Sequence, residues 1–181
     1  MKLNLGCGRD YREGWLNVDV NREVKADVYL DMAEGLPFRD NSAAYAVLDN
    51  VLEHVPRDRY FHFVEELHRV CVAGAHIEVY VPHYSGMHAL KHPAHHMFFG
   101  IGSFDLFEPD APFNAERYST ARFRVLEQRL LFFHHNLVNY PVLSKLPING
   151  PFNWGTGWQL LMERFQCFGF DEIRYRLHVV K

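Results

Sequence analysis

The chain has 181 residues, 48% of them hydrophobic and 15% aromatic, enough apolar material for one packed domain and too much for a disordered chain. Its formal charge of -3 comes with Lys and Arg scattered along the sequence. There is no basic run of the kind that follows a phosphate backbone, which disfavours a nucleic-acid substrate.

In chain order, the first half alternates short apolar runs with turns. Residues 3–5 lead into Gly6-Cys7-Gly8, 15–20 pass Asp19, 26–30 end at Asp31, and 45–48 end at Asp49-Asn50. A fifth run, 75–81, stops at Pro82. Such runs suit the buried strands of a parallel sheet. Between the fourth and fifth runs, Pro56 suits a first helical turn. Phe61, Val64, Leu67 and Cys71 then recur at helical spacing, and Gly74 fits a C-terminal cap. This strand–helix–strand unit predicts a right-handed parallel crossover.

Residues 83–120 form an excursion rich in Pro, Gly, His and aromatics. Phe98, Phe99, Phe104, Phe107 and Phe113 within it are costly to leave in water. Residues 122–133 read as a strand, and Trp158, Leu161, Met162 and Phe165 mark an amphipathic helix. Ile173, Tyr175, Leu177 and Val179 alternate with Arg174, Arg176 and His178, the period of a final strand with one drier face. The whole reads as one domain, residues 1–181: a ligand-binding half to residue 82, an insertion or lid over 83–120, and C-terminal strands and helix from 121.

The cysteines Cys7, Cys71 and Cys167 form no CxxC pair, so neither a disulfide framework nor a cysteine zinc site is signalled. No leader is visible and no apolar run approaches the roughly 20 residues of a membrane span. A cytoplasmic protein is expected.

Ligands of open α/β sheets sit beyond the carboxyl ends of the strands, where strand order reverses. Here each of the first four runs ends in a glycine or polar element. Glycines permit close approach to the backbone, and carboxylates after the second and third strands can accept charge-assisted bonds from a ribose diol and an adenine amine. Taken singly, each aspartate is also an ordinary turn or cap residue.

As a set, Leu3-Asn4-Leu5-Gly6-Cys7-Gly8, Asn17-Val18-Asp19, Asp31 with Leu36-Pro37-Phe38, and Asp49-Asn50-Val51-Leu52-Glu53-His54-Val55 resemble the successive motifs of class I S-adenosylmethionine-dependent methyltransferases. His92-Pro93-Ala94-His95 and Phe98-Phe99 resemble a segment of small bacterial members. The resemblance implies a Rossmann-like, doubly wound α/β sheet of seven strands, mostly parallel, with an antiparallel last strand slotted between its neighbours. It implies S-adenosylmethionine as donor and S-adenosylhomocysteine as product, held by Asn4, Gly6, Cys7, Gly8, Asp19, Val20, Asp31, Met32 and Asn50. Gly6 and Gly8 would flank the methionine part, Asp19 hold the ribose, Asp31 and Met32 meet adenine, and Asn50 lie by the amino group.

Three departures stand out. Asn4 replaces the usual acidic residue. Only residues 9–14 separate the glycines from the second strand, so the first crossover helix is short or absent. No helix precedes the first strand to cover the site. A dinucleotide enzyme fits less well, because Tyr11 stands where GxGxxG wants its third glycine and Asp19 comes too early.

His54, His83 and His95 are the candidate catalytic residues, with a small-molecule acceptor under the 83–120 roof; a histidine base suits a hydroxyl acceptor. No metal site is expected. Residues 92 and 96 share a helix face only if a helix begins at Pro93, and no HExxH is present. Two alternatives stay open: a non-catalytic binding module of the same fold, and a metal-binding protein or hydrolase using the histidines from His83 to His96. The apolar region 130–146 is a candidate lid or homodimer face.

Overall fold

The computed structural model describes residues 1–111, 118–131, 155–165 and 170–181. Seven strands, β1 (Lys2–Leu5), β2 (Leu16–Asp19), β3 (Val28–Tyr29), β4 (Ala43–Asp49), β5 (Cys71–Pro82), β6 (Arg122–Leu131) and β7 (Glu172–Val180), form one sheet in the order β3-β2-β1-β4-β5-β7-β6. Strands β1 to β5 pair in parallel, and β7 runs antiparallel to β5 and β6. The expected class, strand number and slotted last strand are all present. The order reverses between β1 and β4, which makes their carboxyl ends the switch point of the sheet.

Helix α1 (Tyr60–Val70) lies between β4 and β5, and α2 (Met87–Lys91) and α3 (Thr156–Phe165) follow later in the chain. Helix α1 begins four residues beyond Pro56. It buries Tyr60, Phe63, Val64, Leu67 and Val70, a stripe at helical spacing on one face. Cys71 is its C-cap, and Gly74 sits inside β5. The apolar pattern located the helix, and its end shifted because Cys71 already pairs with Ala43 of β4.

Register explains which sheet face is buried. Leu3 pairs with Ala46, Ala46 with Ile77 and Ile77 with Leu177; Leu5, Leu48, Val79 and Tyr175 form the next row. Both rows are 0–1% exposed and share one core with α1, Phe99, Ile101, Phe104 and Phe107. Successive strand residues face opposite sides, so the intervening row carries Tyr45, His76 and His178, then Glu78 and Arg176. That face is polar. Arg176 bridges Glu78 and Glu127, each at 3.3 Å, and Arg174 meets Glu127 at 2.9 Å. Short apolar runs suggested strands dry on both faces; among the described residues the second face carries no helix. Over β1 and β2 its layer is a turn, residues 9–15, as the short first crossover implied.

Of the expected core phenylalanines, Phe99, Phe104 and Phe107 are buried, whereas Phe98 is 49% exposed. Phe113, Phe132, Phe133 and Cys167 lie outside the described residues, as does all but the start of the 130–146 region. Leu130 itself is core. Helix α3 forms where its pattern predicted, yet Trp158 and Leu161 are each 39% exposed and Gln159 is buried, donating to the Gln128 carbonyl at 2.8 Å. The side chains of Met162 and Phe165 lie outside the described set. No described helix is long and apolar enough to cross a membrane.

One ion cluster fastens α1 to the loop after β3. Arg69 binds both oxygens of Glu66 at 2.7 and 2.8 Å, the carbonyls of Leu36 and Phe38, and Asp40. Glu66 also accepts from Leu36 N–H at 2.9 Å. Arg69 holds the Glu66 carboxyl down at about 2. A depressed carboxyl stabilises the fold above its ordinary value and ceases to do so as pH falls through its folded value. Glu66→Gln is therefore expected to lower the melting temperature by about 2–4 °C at neutral pH, for a loss of about 1 kcal/mol. The difference from wild type should narrow as pH falls from 4.5 towards 2, read by thermal unfolding across that range.

Candidate active site

The cleft at the switch point is built from backbone. The chain leaves β1 through Gly6 at φ 69°, and a Cβ there would lie 2.3 Å from Val51 Cγ2. Only glycine fits both the conformation and the space. Gly6 and Cys7 N–H both donate to the Val18 carbonyl, at 2.8 and 3.0 Å, turning the chain across β2. Across the gap, Asn50 takes φ 53° at the end of β4, a conformation asparagine tolerates better than most residues. Its side chain donates to Asp49 at 2.8 Å and to Glu172 at 3.2 Å.

The resulting cleft has a volume of about 520 Å³ and is lined by Gly6, Gly8, Asp19, Val20, Asp31, Met32 and Asn50, together with Ala33, Asp49, Val51, His54, Val55 and Pro56. Asp19 ties the two loops together: one oxygen accepts from Gly8 N–H at 2.7 Å and the other from Asn21 N–H at 2.8 Å. Asp31 caps the short turn Met32–Glu34, accepting from Ala33 N–H at 3.0 Å. Both carboxylates keep further acceptor positions. Thus the seven sequence-predicted residues named first line one cleft, and Asp31 also caps a turn.

Asn4 and Cys7 do not line the cleft. Asn4 belongs to the polar face of the sheet and is 3% exposed; its amide donates to the Asp10 carbonyl at 2.7 Å and to Asn17 at 3.0 Å. It fastens the turn that stands in for the missing helix. The Cys7 thiol is buried against the Lys25 carbonyl at 3.6 Å, and burial, then Asp19, pushes its pKa up.

A second cavity of about 410 Å³ opens beside the first, and Asn50 and His54 line both. Its other walls are Glu53, Pro82, His88, Lys91, His92, His95, Asp171 and Glu172. The histidine loop is fastened over it, because His96 N–H donates to the Glu53 carbonyl at 2.7 Å and His54 Nδ1 meets the Ala94 carbonyl at 3.3 Å. No helix begins at Pro93; α2 ends before it, and a turn brings His92 and His95 together. Partial desolvation of a ring that still reaches solvent, then the neighbouring His95, lowers the His54 pKa, and desolvation likewise lowers that of His95.

His83 is elsewhere. It is 0% exposed and lines neither cavity. Its Nδ1 accepts from Ser85 N–H at 3.2 Å, so Nε2 carries the proton and donates to Glu163 at 2.8 Å. Glu163 also accepts from Ile101 N–H. This buried link holds α3 against the excursion, so His83 is a scaffold residue rather than a catalytic candidate. Sequence reasoning missed Asp171 and Glu172, which reach the second cavity only because β7 is slotted beside β5. It also missed Val51, whose signal was the glycine it abuts. His83→Ala is expected to lower the melting temperature by several degrees, leaving a buried carboxylate short of a partner, read by thermal unfolding of the variant beside wild type.

No protein-family model and no curated protein sequence matches the chain. Solved structures do. A SAM-dependent methyltransferase from Archaeoglobus fulgidus matches with TM-score 0.57 at 17% identity, over 97% of this chain and 84% of that one. A complex of the Haloferax volcanii Trm112 methyltransferase activator with a putative methyltransferase matches with TM-score 0.60 at 17% identity, over 99% and 81%. The [4+2]-cyclase SpnF matches with TM-score 0.54 at 13% identity, over 98% and 74%. At these identities the likeness speaks for architecture, and with the strand order and the cleft at its switch point it shows that the chain has the fold of the class I, Rossmann-like S-adenosylmethionine-dependent methyltransferases.

Proposed function

We propose that the protein transfers a methyl group from S-adenosylmethionine to a small acceptor, releasing S-adenosylhomocysteine. The observation that carries this reading is the meeting of two cavities at Asn50 and His54. One compartment suits a nucleoside with an amino-acid tail and the other a compact second substrate, both within the usual size of ligand sites.

The residues of the first cleft fit the donor. Asp19, Asp31 and Asp49 line it with no Lys or Arg among the lining residues, which favours a cationic ligand bearing hydroxyl and amine donors. The same lining disfavours a pyrophosphate, as does the lack of a helix start after Gly8. Asp19 would hold the ribose hydroxyls, Asp31 and the Met32 backbone the adenine, and Gly6, Gly8 and Asn50 the amino-acid end. The sulfonium supplies an electrophilic methyl group. What remains for the chain is to hold the acceptor in line with it, which can provide much of the acceleration. A hydroxyl or thiol acceptor must also lose a proton, and the bases we assign are His54 and His95, which line the second cavity and are biased towards the neutral form by partial desolvation and by neighbouring histidines. The buried, free thiols of Cys7 and Cys71 accord with a reducing, cytoplasmic setting.

Calorimetric titration with S-adenosylhomocysteine is expected to show one micromolar-range site, weakened at least tenfold in Asp19→Ala. Mass spectrometry is expected to detect a methyl gain in one of a panel of small hydroxyl, thiol and amine compounds. Absence of product binding, or equal affinity in Asp19→Ala, would overturn the reading.

A further inference from the structure

Three imidazoles face one another on the wall of the second cavity. His54, His92 and His95 place ligand-capable atoms within 4.8 Å of one another, with ring centroids 4.8–5.4 Å apart. We propose that this trio binds a divalent transition-metal ion, zinc in the first instance, with an open coordination position towards the cavity.

The donor set selects the metal class. Three imidazole nitrogens suit zinc, copper, nickel or iron, and suit magnesium and calcium poorly. The outer hydrogen bonds have the form that metal-binding histidines use. His54 Nδ1 lies 3.3 Å from the Ala94 carbonyl and His95 Nδ1 lies 3.1 Å from the Ala89 carbonyl. A carbonyl partner makes each Nδ1 a donor and leaves the Nε2 lone pair for a metal. His92 Nδ1 accepts from Ala94 N–H at 3.3 Å, a long bond that a metal can displace.

The three donor atoms must draw together to close on an ion. Tetrahedral zinc, with bonds of about 2.05 Å, separates its ligand atoms by about 3.4 Å. His54 and His92 are solvent-exposed, so core packing does not lock their rotamers. The backbone is held, because His96 and Met97 N–H both donate to the Glu53 carbonyl, at 2.7 and 3.4 Å.

Three protein ligands and an open fourth position form the arrangement of a catalytic rather than a structural zinc. A hydroxyl or thiol at that position has its pKa lowered by the metal and loses its proton to water near neutral pH. His54 and His95 then hold the ion instead of taking the proton. This role rests on the methyl-transfer reading above; metal binding itself does not.

The experiment uses untagged protein dialysed against a chelator and titrated with Zn²⁺ by calorimetry and with Co²⁺ by visible absorption. One equivalent of each is expected to bind, Co²⁺ with the intense bands of a tetrahedral site. His95→Ala and His92→Ala should each weaken binding at least tenfold, with S-adenosylhomocysteine affinity within twofold of wild type. The surface pair His76 and His178, 2.9 Å apart, is the control, and His76→Ala should bind metal as wild type does. The proposal fails if neither ion binds saturably, if His92→Ala and His95→Ala bind unchanged, or if His76→Ala alone abolishes binding. Metal binding that follows this pattern in a protein that takes up no S-adenosylhomocysteine would uphold the site and remove only its role in methyl transfer.

Discussion

The close approach of Gly6 to Val51 governs the rest of the site. Two parallel neighbours, β1 and β4, send their chains away from the sheet in opposite directions, and the crevice between them exists only if both exits stay narrow. Gly6 achieves this on one side by having no Cβ to meet the Val51 methyl. Asn50 achieves it on the other by turning back through a positive φ and tying its amide to Asp49 and Glu172. Any side chain at position 6 would press on Val51 at the β4 exit, next to Asn50 and close to His54, the two residues that line both cavities. The bond from Gly8 N–H to Asp19 then sets the second loop relative to the first.

Stability is organised around one dry face. The rows through Leu3 and Leu5 continue unbroken across four or five strands and carry α1 with Phe99, Phe104 and Phe107 of the excursion. The opposite face is held by Glu–Arg pairs, individually worth little, and by a polar cluster over β1 and β2. Asn17 is its hub. Its amide donates to the Arg12 and Trp15 carbonyls and to Asp27, and its oxygen accepts from Asn4 and Arg12 N–H. These bonds meet the buried amides that a covering helix would otherwise shield, so the first crossover can shrink to a turn. Asn4 is then better understood as part of this cluster than as a neutral substitute for a charged ligand contact.

The histidine loop has a different physical basis. It is not held by a core of its own: Met87, Leu90 and Phe98 are exposed. Its position comes from backbone bonds to the Glu53 carbonyl and from packing of three imidazoles against one another. Segments fastened by few contacts sit at the low-stability end of a fold. The scaffold behind it is firmer, because His83, Glu163 and Ile101 join the excursion to α3 beneath the surface.

Much of the switch-point cleft was legible in the sequence, since its lining depends on local order. A glycine pair, an aspartate and an asparagine each fall directly after an apolar run, and parallel pairing sends all those ends to one edge. The alternation from Ile173 to Val179 likewise announced a strand with one buried face. The histidine-lined cavity depends on long-range placement. His54 lies 38 residues before His92, and Glu172 reaches the same cavity only because β7 enters between β5 and β6. His83 and His95 are alike in composition and neighbourhood, yet one is sealed against Glu163 and the other faces a cavity. Spacing cannot separate them, because burial is decided by which distant element packs over each residue. The chain alone therefore determined the fold class and the edge that carries the cleft, through periodicity and turn chemistry; the assembled sheet decided the histidine constellation, through contacts between segments that only the closed structure makes neighbours.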